Sequence, residues 1–377
     1  MEEITAVIIN YNGGSLVLDS IESILNQQGV HVHVIVMDDG SEDGSPEAIK
    51  ESFPNAEVYR EEENTRHVNR LRNKGLSCAA TEKVFLTDND VLLDESCIAA
   101  LLRVMEADDR IGTCIPRLMY LNEQCRIYQE GGSIHYVGTT VAPNRDTHVS
   151  NSESSPRIAV GGGIGLLDVE KVQQVGGFDE DYELAWGDDG ELHQRMLLTG
   201  YKCKSVPSAV GFHEFESFSK ARHYRARGQI CNRWRFILSH YSGRTLLVIA
   251  PMLALYEFAQ ALYYLLKGIP LLYLKGTLDA IRQLPDILER RKRIQDLRVV
   301  PDREVLTAGP IYMRPSGGIG GKVVSAVVTA LSLLFTGYWV LFRPLLPRGV
   351  SSRHVTEDTS GESEGGGASE VGRMGGN

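Results

Sequence analysis

Apolar runs and helical patterns alternate along the first 90 residues. Apolar runs over residues 4–10 and 30–37 predict buried strands, and apolar side chains at helical spacing between them predict a helix over about residues 15–28. The alternation continues with predicted elements at residues 45–53, 57–60, 69–80 and 84–87. Strands joined by helices form parallel sheets, so the pattern predicts a doubly wound α/β fold.

Polar residues follow three of these predicted strands. Asn10 to Asn12 follow the first strand, Asp38 and Asp39 end the second, and Asp88 to Asp90 follow the strand at residues 84–87. The ligand crevice of a doubly wound sheet lies at the carboxyl ends of its strands. We therefore expect these three loops to converge on one cleft.

The pattern becomes less regular after Gly112. It predicts strands at residues 113–120 and 157–161 and a helix beginning near Asp168. Long apolar stretches over residues 246–274 and 323–342 follow. The predicted organisation is a catalytic domain at 1–240, a membrane-associated helical region at 241–300, a connection with a possible transmembrane helix at 301–350, and a disordered acidic tail at 351–377.

The second apolar stretch is long enough to cross a bilayer. It has 20 consecutive uncharged residues, and at about 1.5 Å per residue these match a hydrocarbon layer of about 30 Å. Pro251, Glu257 and Lys267 interrupt the first stretch, which favours an interfacial hairpin or a buried helix pair. A basic segment with Arg282 and residues 290–293 is expected to face anionic headgroups.

Charge and cysteine content narrow the function classes. The net charge of -10 argues against general nucleic-acid binding. The six cysteines are scattered without a CxxC pair, and no secretory signal precedes the first strand. These features predict a catalytic domain in the reducing cytoplasm, attached to the membrane, without a zinc site or a disulfide framework.

Two acidic motifs are candidates for binding a ligand that contains a diphosphate and a pyrimidine base. Asp88 and Asp90 offer oxygen ligands to a hard cation such as Mg²⁺ or Mn²⁺ that also holds a diphosphate; the alternative is an ordinary turn. Asp38 or Asp39 can accept a hydrogen bond from the imide N–H of a pyrimidine base, with a turn or a helix N-cap as the alternative.

Further candidates lie in the second half of the catalytic domain. Asp188 and Asp189 follow Trp186 at a predicted helix start, where the helix dipole alone favours acidic residues. A carboxylate there can also act as the general base that activates an acceptor hydroxyl. His213 is a possible metal ligand or a structural histidine, and residues 161–163 form a glycine loop that allows close approach or a simple turn.

The order of these motifs resembles that of family 2 inverting glycosyltransferases. The motifs are Val7 to Asn12, Asp38 to Ser41, Arg72 to Gly75, Asp88 to Asp90, Gly161 to Gly163, Gly176 to Asp179, Trp186 to Asp189, and His213. The resemblance covers roughly residues 4–240. Residues 224–241 and the helices after them are similar to the rhamnosyltransferase-type branch.

This resemblance implies a GT-A fold, with a doubly wound mixed sheet that has helices on both faces and is followed by membrane-associated helices. It implies a UDP- or dTDP-sugar donor and Mg²⁺ or Mn²⁺, with catalytic roles for Asp188 and Asp189. The implied metal ligands are Asp88, Asp90 and His213. The implied nucleotide-sugar contacts are Asn10, Asn12, Asp38, Asp39, Arg72, Asn73, Asp88, Gly162, Gly163 and Trp186. One departure is Asp188, where the family usually has Glu.

The leading hypothesis is therefore metal-assisted, inverting sugar transfer to a lipid-linked or polysaccharide acceptor at the membrane, as in cell-envelope polysaccharide synthesis. One alternative is a nucleotidyltransferase that makes the sugar nucleotide. The other is a non-catalytic, membrane-tethered protein that binds sugar nucleotides.

Overall fold

A computed structural model describes residues 1–142, 144–152, 157–158, 161, 163–182, 186–214, 222–311 and 318–349. The strands are β1 (Glu2–Asn10), β2 (Val30–Asp38), β3 (Glu57–Arg60), β4 (Lys83–Asp88), β5 (Val91–Leu93), β6 (Ile111–Tyr120), β7 (Glu123–Gln129), β8 (Ser133–His135), β9 (Thr139–Val141), β10 (Arg157–Ile158), β11 (Gly165–Asp168), β12 (Lys202–His213) and β13 (Leu306–Thr307). The helices are α1 (Leu16–Leu25), α2 (Ser45–Ser52), α3 (Val68–Cys78), α4 (Cys97–Glu106), α5 (Val169–Gln174), α6 (Gly190–Leu198), α7 (Arg222–His240), α8 (Gly243–Leu266), α9 (Pro270–Arg282), α10 (Leu284–Leu297), α11 (Asp302–Val305) and α12 (Gly318–Phe342).

A large mixed sheet forms the centre of the protein. Its main path runs β10-β12-β6-β11-β4-β1-β2-β3, with β5 beside β12 and β7 beside β6. β1 is parallel to β2 and β4, whereas β11 is antiparallel to both β4 and β6. The predicted α/β sheet is thus confirmed, and each element predicted before residue 90 is present to within a few residues.

Both faces of the sheet are buried, because alternate residues of a strand point to opposite sides. On β1, Ile4, Ala6 and Ile8 pack in one apolar cluster with residues of α1 and α4. Val7 and Ile9 belong to a second cluster that includes residues of α3, α6 and α7. These two layers hold the carboxyl ends of β1, β2 and β4 at one edge.

The first apolar stretch, residues 246–274, is divided between two helices. Pro251 lies inside α8 and does not end it. The helix ends instead at Leu266. Gly268, just after it, has φ +74°, and the Gly268 and Ile269 N–H groups donate to the carbonyls of Leu265 and Tyr264. This is the hydrogen-bond pattern of a Schellman C-cap, in which glycine takes the left-handed conformation.

Residues after 240 pack against the earlier part of the chain. β13 pairs with β8, which completes a three-stranded sheet with β9. The Tyr136 hydroxyl donates to the Phe335 carbonyl at 2.9 Å, and the Tyr136 ring stacks on Trp339 at 4.9 Å. Segments 243–266 and 321–345 are the two described helical stretches long and apolar enough to cross a membrane. The domain division at residue 240 stays a prediction.

Two arginines of the basic segment bind other parts of the protein. Arg290 pairs with Asp179 and Asp181, and Arg291 donates to the carbonyls of Leu238 and Tyr241. The expectation that both arginines face lipid headgroups is therefore wrong, because each binds an oxygen of the catalytic region. The acidic tail at 351–377 lies outside the described residues.

Candidate active site

The parallel strands align their polar ends. Asn10 lies opposite Asp38 on β2, and Ile9 lies opposite Asp88 on β4. The Asn89 side chain then donates to Asn10 Oδ1 at 2.8 Å. The three loops predicted to converge do meet at this edge of the sheet.

Asp38 is held entirely inside the protein. Its side chain is fully buried and accepts hydrogen bonds from the Asn10 amide at 2.7 Å and from the Ser41 hydroxyl at 2.6 Å. The Ser41 backbone N–H also donates to it at 3.0 Å. A carboxylate with this many protein donors fixes the loop, which makes Asn10 and Asp38 structural supports of the cleft.

Asp39 and Asn12 fix neighbouring loops by accepting hydrogen bonds from backbone N–H groups. Asp39 accepts hydrogen bonds from the Thr65 N–H and hydroxyl and from the Arg66 N–H. Asn12 adopts φ +51° and accepts from the Glu42 N–H at 2.9 Å. Because Asp39 is 7% exposed and Asp38 is 0% exposed, Asp39 is the more accessible of the two carboxylates.

Arg72 links Asp88 to Asp188. Its Nη1 lies 3.2 Å from Asp188 Oδ2 and donates to Asn69 Oδ1, while its Nη2 lies 3.9 Å from Asp88 Oδ1. A Cβ added at Gly163 would lie 2.1 Å from Nη2, so only glycine leaves room for this guanidinium. Gly163 thus acts through Arg72, and Gly162 lies outside the described residues.

Asp188 and Asp189 stand at the start of α6. Asn69 Nδ2 donates to the Asp188 carbonyl at 2.7 Å, and Asp189 Oδ1 accepts from the Gly190 N–H at 2.5 Å. Burial and the neighbouring Asp189 raise the pKa of Asp188 to about 7, although Arg72 opposes the shift. The sequence correctly places both carboxylates together beside the cleft.

Asp90 and His213 meet where β5 pairs with the end of β12. His213 Nε2 lies 3.5 Å from Asp90 Oδ1, and its ring stacks on Tyr128 at 4.5 Å. Asp90 Oδ1 and His213 Nδ1 are buried without a hydrogen-bond partner. Burial, with the Asp88 carboxylate, raises the pKa of Asp90 to about 7, and burial, with Arg145, lowers that of His213 to about 4. A cation would satisfy this buried carboxylate oxygen.

The three predicted metal ligands do not form a closed cluster. Among the residues that the structure describes, three ligand atoms approach within 4.8 Å only at the exposed side chains of Glu3, His31 and His33. These lie at the opposite ends of β1 and β2 from Asn10 and Asp38. Asp90 and His213 lie together, whereas Asp88 lies beside Arg72.

A cavity of about 500 Å³ opens beside Asp188 and Asp189. Trp186 lines it, with its indole N–H donating to Thr140 Oγ1 at 2.9 Å. Its other walls include Arg233 from α7 and Glu257 from α8. Sequence reasoning missed these helical contributions, because spacing within a helix does not reveal which distant loop the helix covers.

Asn73, a predicted nucleotide-sugar contact, and Glu191 do not line this cavity. Asn73 donates to the Phe178 carbonyl at 2.9 Å and accepts from its N–H at 2.8 Å, so it fixes the turn after α5. Glu191 is 1% exposed and binds Arg195 and His240 Nε2, the latter at 3.0 Å. It joins α6 to α7.

Comparison with known sequences identifies two consecutive regions. Residues 5–145 match the model for glycosyl transferase family 2, and residues 149–223 match the model described as the N-terminal domain of galactosyltransferase. Chondroitin synthase of Escherichia coli is 23% identical over 239 residues, which are 57% of this chain and 35% of that protein. Glycosyltransferase GlyG of Streptococcus pneumoniae serotype 4 is 30% identical over 113 residues, 29% of this chain and 37% of the relative. The chain thus spans about a third of either relative.

A solved structure shares the fold. GalNAc-T7, crystallised with UDP, GalNAc and Mn²⁺, superposes with a TM-score of 0.53 at 16% identity, over 64% of this chain and 49% of that one. The likeness confirms the GT-A fold. The sequence matches to the two family models and to chondroitin synthase favour glycosyl transfer over the nucleotidyltransferase and non-catalytic alternatives.

Proposed function

We propose that this chain is a glycosyltransferase that moves a sugar from a UDP- or dTDP-sugar to a lipid-linked or polysaccharide acceptor, with inversion, because residues 5–145 match the model for glycosyl transferase family 2 and the chain is similar to chondroitin synthase. The observation that carries the proposal is the position of Asp189 in the cavity wall. It lies next to Asp188, which Arg72 links to Asp88. The rhamnosyltransferase-type branch stays a prediction.

Asp189 is proposed as the general base. It lines the cavity at the start of α6, where it can take the proton of an acceptor hydroxyl as the hydroxyl oxygen attacks the anomeric carbon. The bond to the donor diphosphate breaks as the new glycosidic bond forms. A single displacement of this kind inverts the anomeric centre and needs no covalent intermediate on the protein.

Asp39 and Asn12 are proposed to meet the nucleotide, with Asn10 and Asp38 supporting them from behind. Arg72 holds Asp188 and Asp88 in place. Asp90 and His213, with Asp88, would hold Mg²⁺ or Mn²⁺. When bound, such an ion neutralises charge that develops on the departing diphosphate.

Cation-dependent donor binding is the first test. We expect UDP- or dTDP-sugars, but not GDP- or CMP-sugars, to bind wild type in the presence of Mn²⁺, as measured by isothermal titration calorimetry. Chelator and Asp90→Ala should each weaken binding by at least about 100-fold, since removing a metal ligand costs more than the 10–100-fold loss caused by supporting residues.

The control for this experiment is Glu214→Gln, which changes a neighbouring carboxylate that is not a proposed ligand. Its affinity should match wild type. Absence of binding by every sugar nucleotide, or equal binding with Mn²⁺ and with chelator, would contradict the assigned site.

We also propose that α8, α9 and α12 lie on a membrane surface. On α9, Leu271, Leu274 and Leu278 are exposed at helical spacing, while Gly276 on the opposite face packs against Ile230. α8 and α12 each hold one side against the catalytic region and expose apolar residues elsewhere. An exposed apolar surface of this kind favours interfacial binding.

Vesicle flotation tests this attachment. Wild type should float with vesicles containing phosphatidylglycerol, and Leu274→Glu/Leu278→Glu should reduce the partition coefficient about 100-fold, because each buried leucine contributes about 1.5–3 kcal/mol. Leu25→Glu, an exposed leucine on α1, is the matched control and should float like wild type. Equal flotation of the double variant would remove α9 from the membrane contact.

A further inference from the structure

We propose that the part of the catalytic cavity walled by α7, α8 and α9 is a binding subsite for an uncharged saccharide portion of the acceptor. This proposal rests on the proposed function, because it assigns a ligand to the same cavity that contains Asp189. The ligand is proposed to be an uncharged saccharide, and the residues proposed to select it lie after position 228.

The subsite and the proposed base share one continuous cavity. Asp189 and Trp186 line it from the catalytic loop, and Gln229, Glu257 and Tyr273 line it from the three helices. Its volume of about 500 Å³ falls within the usual range of about 300–1,000 Å³ for small-molecule sites. An acceptor whose hydroxyl lies at Asp189 would thus extend between the helices.

Aromatic rings supply the apolar part of the helical wall. Tyr264 and Tyr273 lie 5.7 Å apart at 32°, and Tyr256 packs under the Arg233 guanidinium at 4.4 Å. All three tyrosines line the cavity. Rigid rings with polar tips suit a ligand that has apolar C–H faces and many hydroxyl groups, which is the surface of a sugar.

Charge on the cavity wall disfavours an anionic ligand. The charged residues in the wall are four acids, Glu130, Asp188, Asp189 and Glu257, and two bases, Arg145 and Arg233. Arg233 is paired with Glu257 and also donates to the Val137 carbonyl. Arg117 and Arg72 already pair with Glu130 and Asp188 from behind the wall, and the Arg145 guanidinium lies over the Tyr128 ring. A diphosphate or a uronate placed here would lie beside the Asp189 carboxylate and meet guanidinium groups that are already engaged, so its charge would be poorly compensated.

Neutral polar groups are available for hydroxyl recognition. Gln260 donates to the Tyr256 hydroxyl at 2.7 Å, which uses one of its two amide hydrogens. Gln229 lies exposed on α7 and faces the cavity. Amides both donate and accept hydrogen bonds, as do sugar hydroxyls, so these side chains match the proposed ligand.

The test measures ligand binding to full-length protein in detergent by saturation-transfer NMR. The probes are a neutral hexose trisaccharide, a trisaccharide containing uronic acid, and farnesyl diphosphate. The neutral trisaccharide should bind wild type, and Gln229→Trp, which fills the cavity from its rim, should weaken it by about 10- to 200-fold, the usual cost of a shape mismatch in a pocket. Gln260→Ala should weaken it in the same direction.

The matched control is Gln124→Trp, which makes the same change at an exposed position of β7 and should bind like wild type. Donor affinity, measured on the same preparations, should be equal in all four proteins. Unchanged trisaccharide binding in Gln229→Trp and Gln260→Ala would overturn the proposal. So would binding of the uronate or the diphosphate that is stronger than that of the neutral trisaccharide and is weakened by these two substitutions. Failure of donor binding in wild type would instead refute the proposed function.

Discussion

Replacing Asp189 with Asn is expected to lower kcat for sugar transfer by about 10²- to 10⁴-fold, the usual contribution of a general base. The amide oxygen can still accept the hydrogen bond from Gly190 N–H that Asp189 accepts now, so α6 keeps its start. Affinity for the sugar nucleotide should stay within about twofold, because a base acts in the transition state and not in donor binding.

The measurement is steady-state kinetics with a radiolabelled donor, combined with calorimetric donor binding. Asp109→Asn provides a matched control at an exposed carboxylate, and it should retain wild-type kcat. Transfer by Asp189→Asn at the wild-type rate would remove Asp189 from the base role. Loss of donor binding in this variant would indicate that Asp189 holds the donor.

Replacing Glu191 with Gln is expected to destabilise the protein by about 3–5 kcal/mol, the cost of removing one partner of a buried ion pair. Glu191 binds Arg195 through Nε at 2.9 Å and Nη2 at 2.5 Å, and it also contacts His240. The substitution leaves the buried Arg195 guanidinium without its carboxylate and replaces the carboxylate that His240 Nε2 contacts. Urea unfolding followed by circular dichroism gives the change in free energy of unfolding.

The pH dependence of stability provides a second readout for Glu191. Burial alone would raise its pKa, but Arg195 and His240 lower it from 4.5 to about 2. A lowered carboxyl pKa contributes stability above pH 4.5 that is lost as the pH falls towards 2. Glu191→Gln should lose less stability than wild type across this window.

The matched control for this pair of measurements is Glu170→Gln on α5, which changes an exposed carboxylate. Its stability should lie within about 0.5 kcal/mol of wild type at neutral pH. If Glu191→Gln were equally stable, the ion pair would contribute nothing to the junction of α6 and α7.

The local pattern of the chain predicted the part of the site that depends on parallel strands. Asn10, Asp38 and Asp88 each end an apolar run, and parallel strands place such ends at one edge of a sheet. The apolar runs and the polar turn residues that end them therefore locate these three residues without knowledge of distant contacts. The same reasoning did not separate Asp38, which is surrounded by protein donors, from the more accessible Asp39.

The rest of the site depends on contacts between distant residues. Arg72 lies on α3, and its partner Asp188 is 116 positions later; Gly163 is required by the volume of that same guanidinium. Glu257 lies in an apolar stretch that resembles a membrane segment, yet it pairs with Arg233 and lines the cavity. Periodicity carries no information about such pairings.

The distribution of the cavity walls along the chain sets an order for biosynthesis. One wall comes from residues 128–145, and another comes from residues as late as Tyr273. A ribosome that adds about 5–20 residues per second needs roughly 6–26 s to travel from Arg145 to Tyr273. A nascent chain therefore carries residues 128–145 well before α7, α8 and α9 have been synthesised to complete the cavity around them.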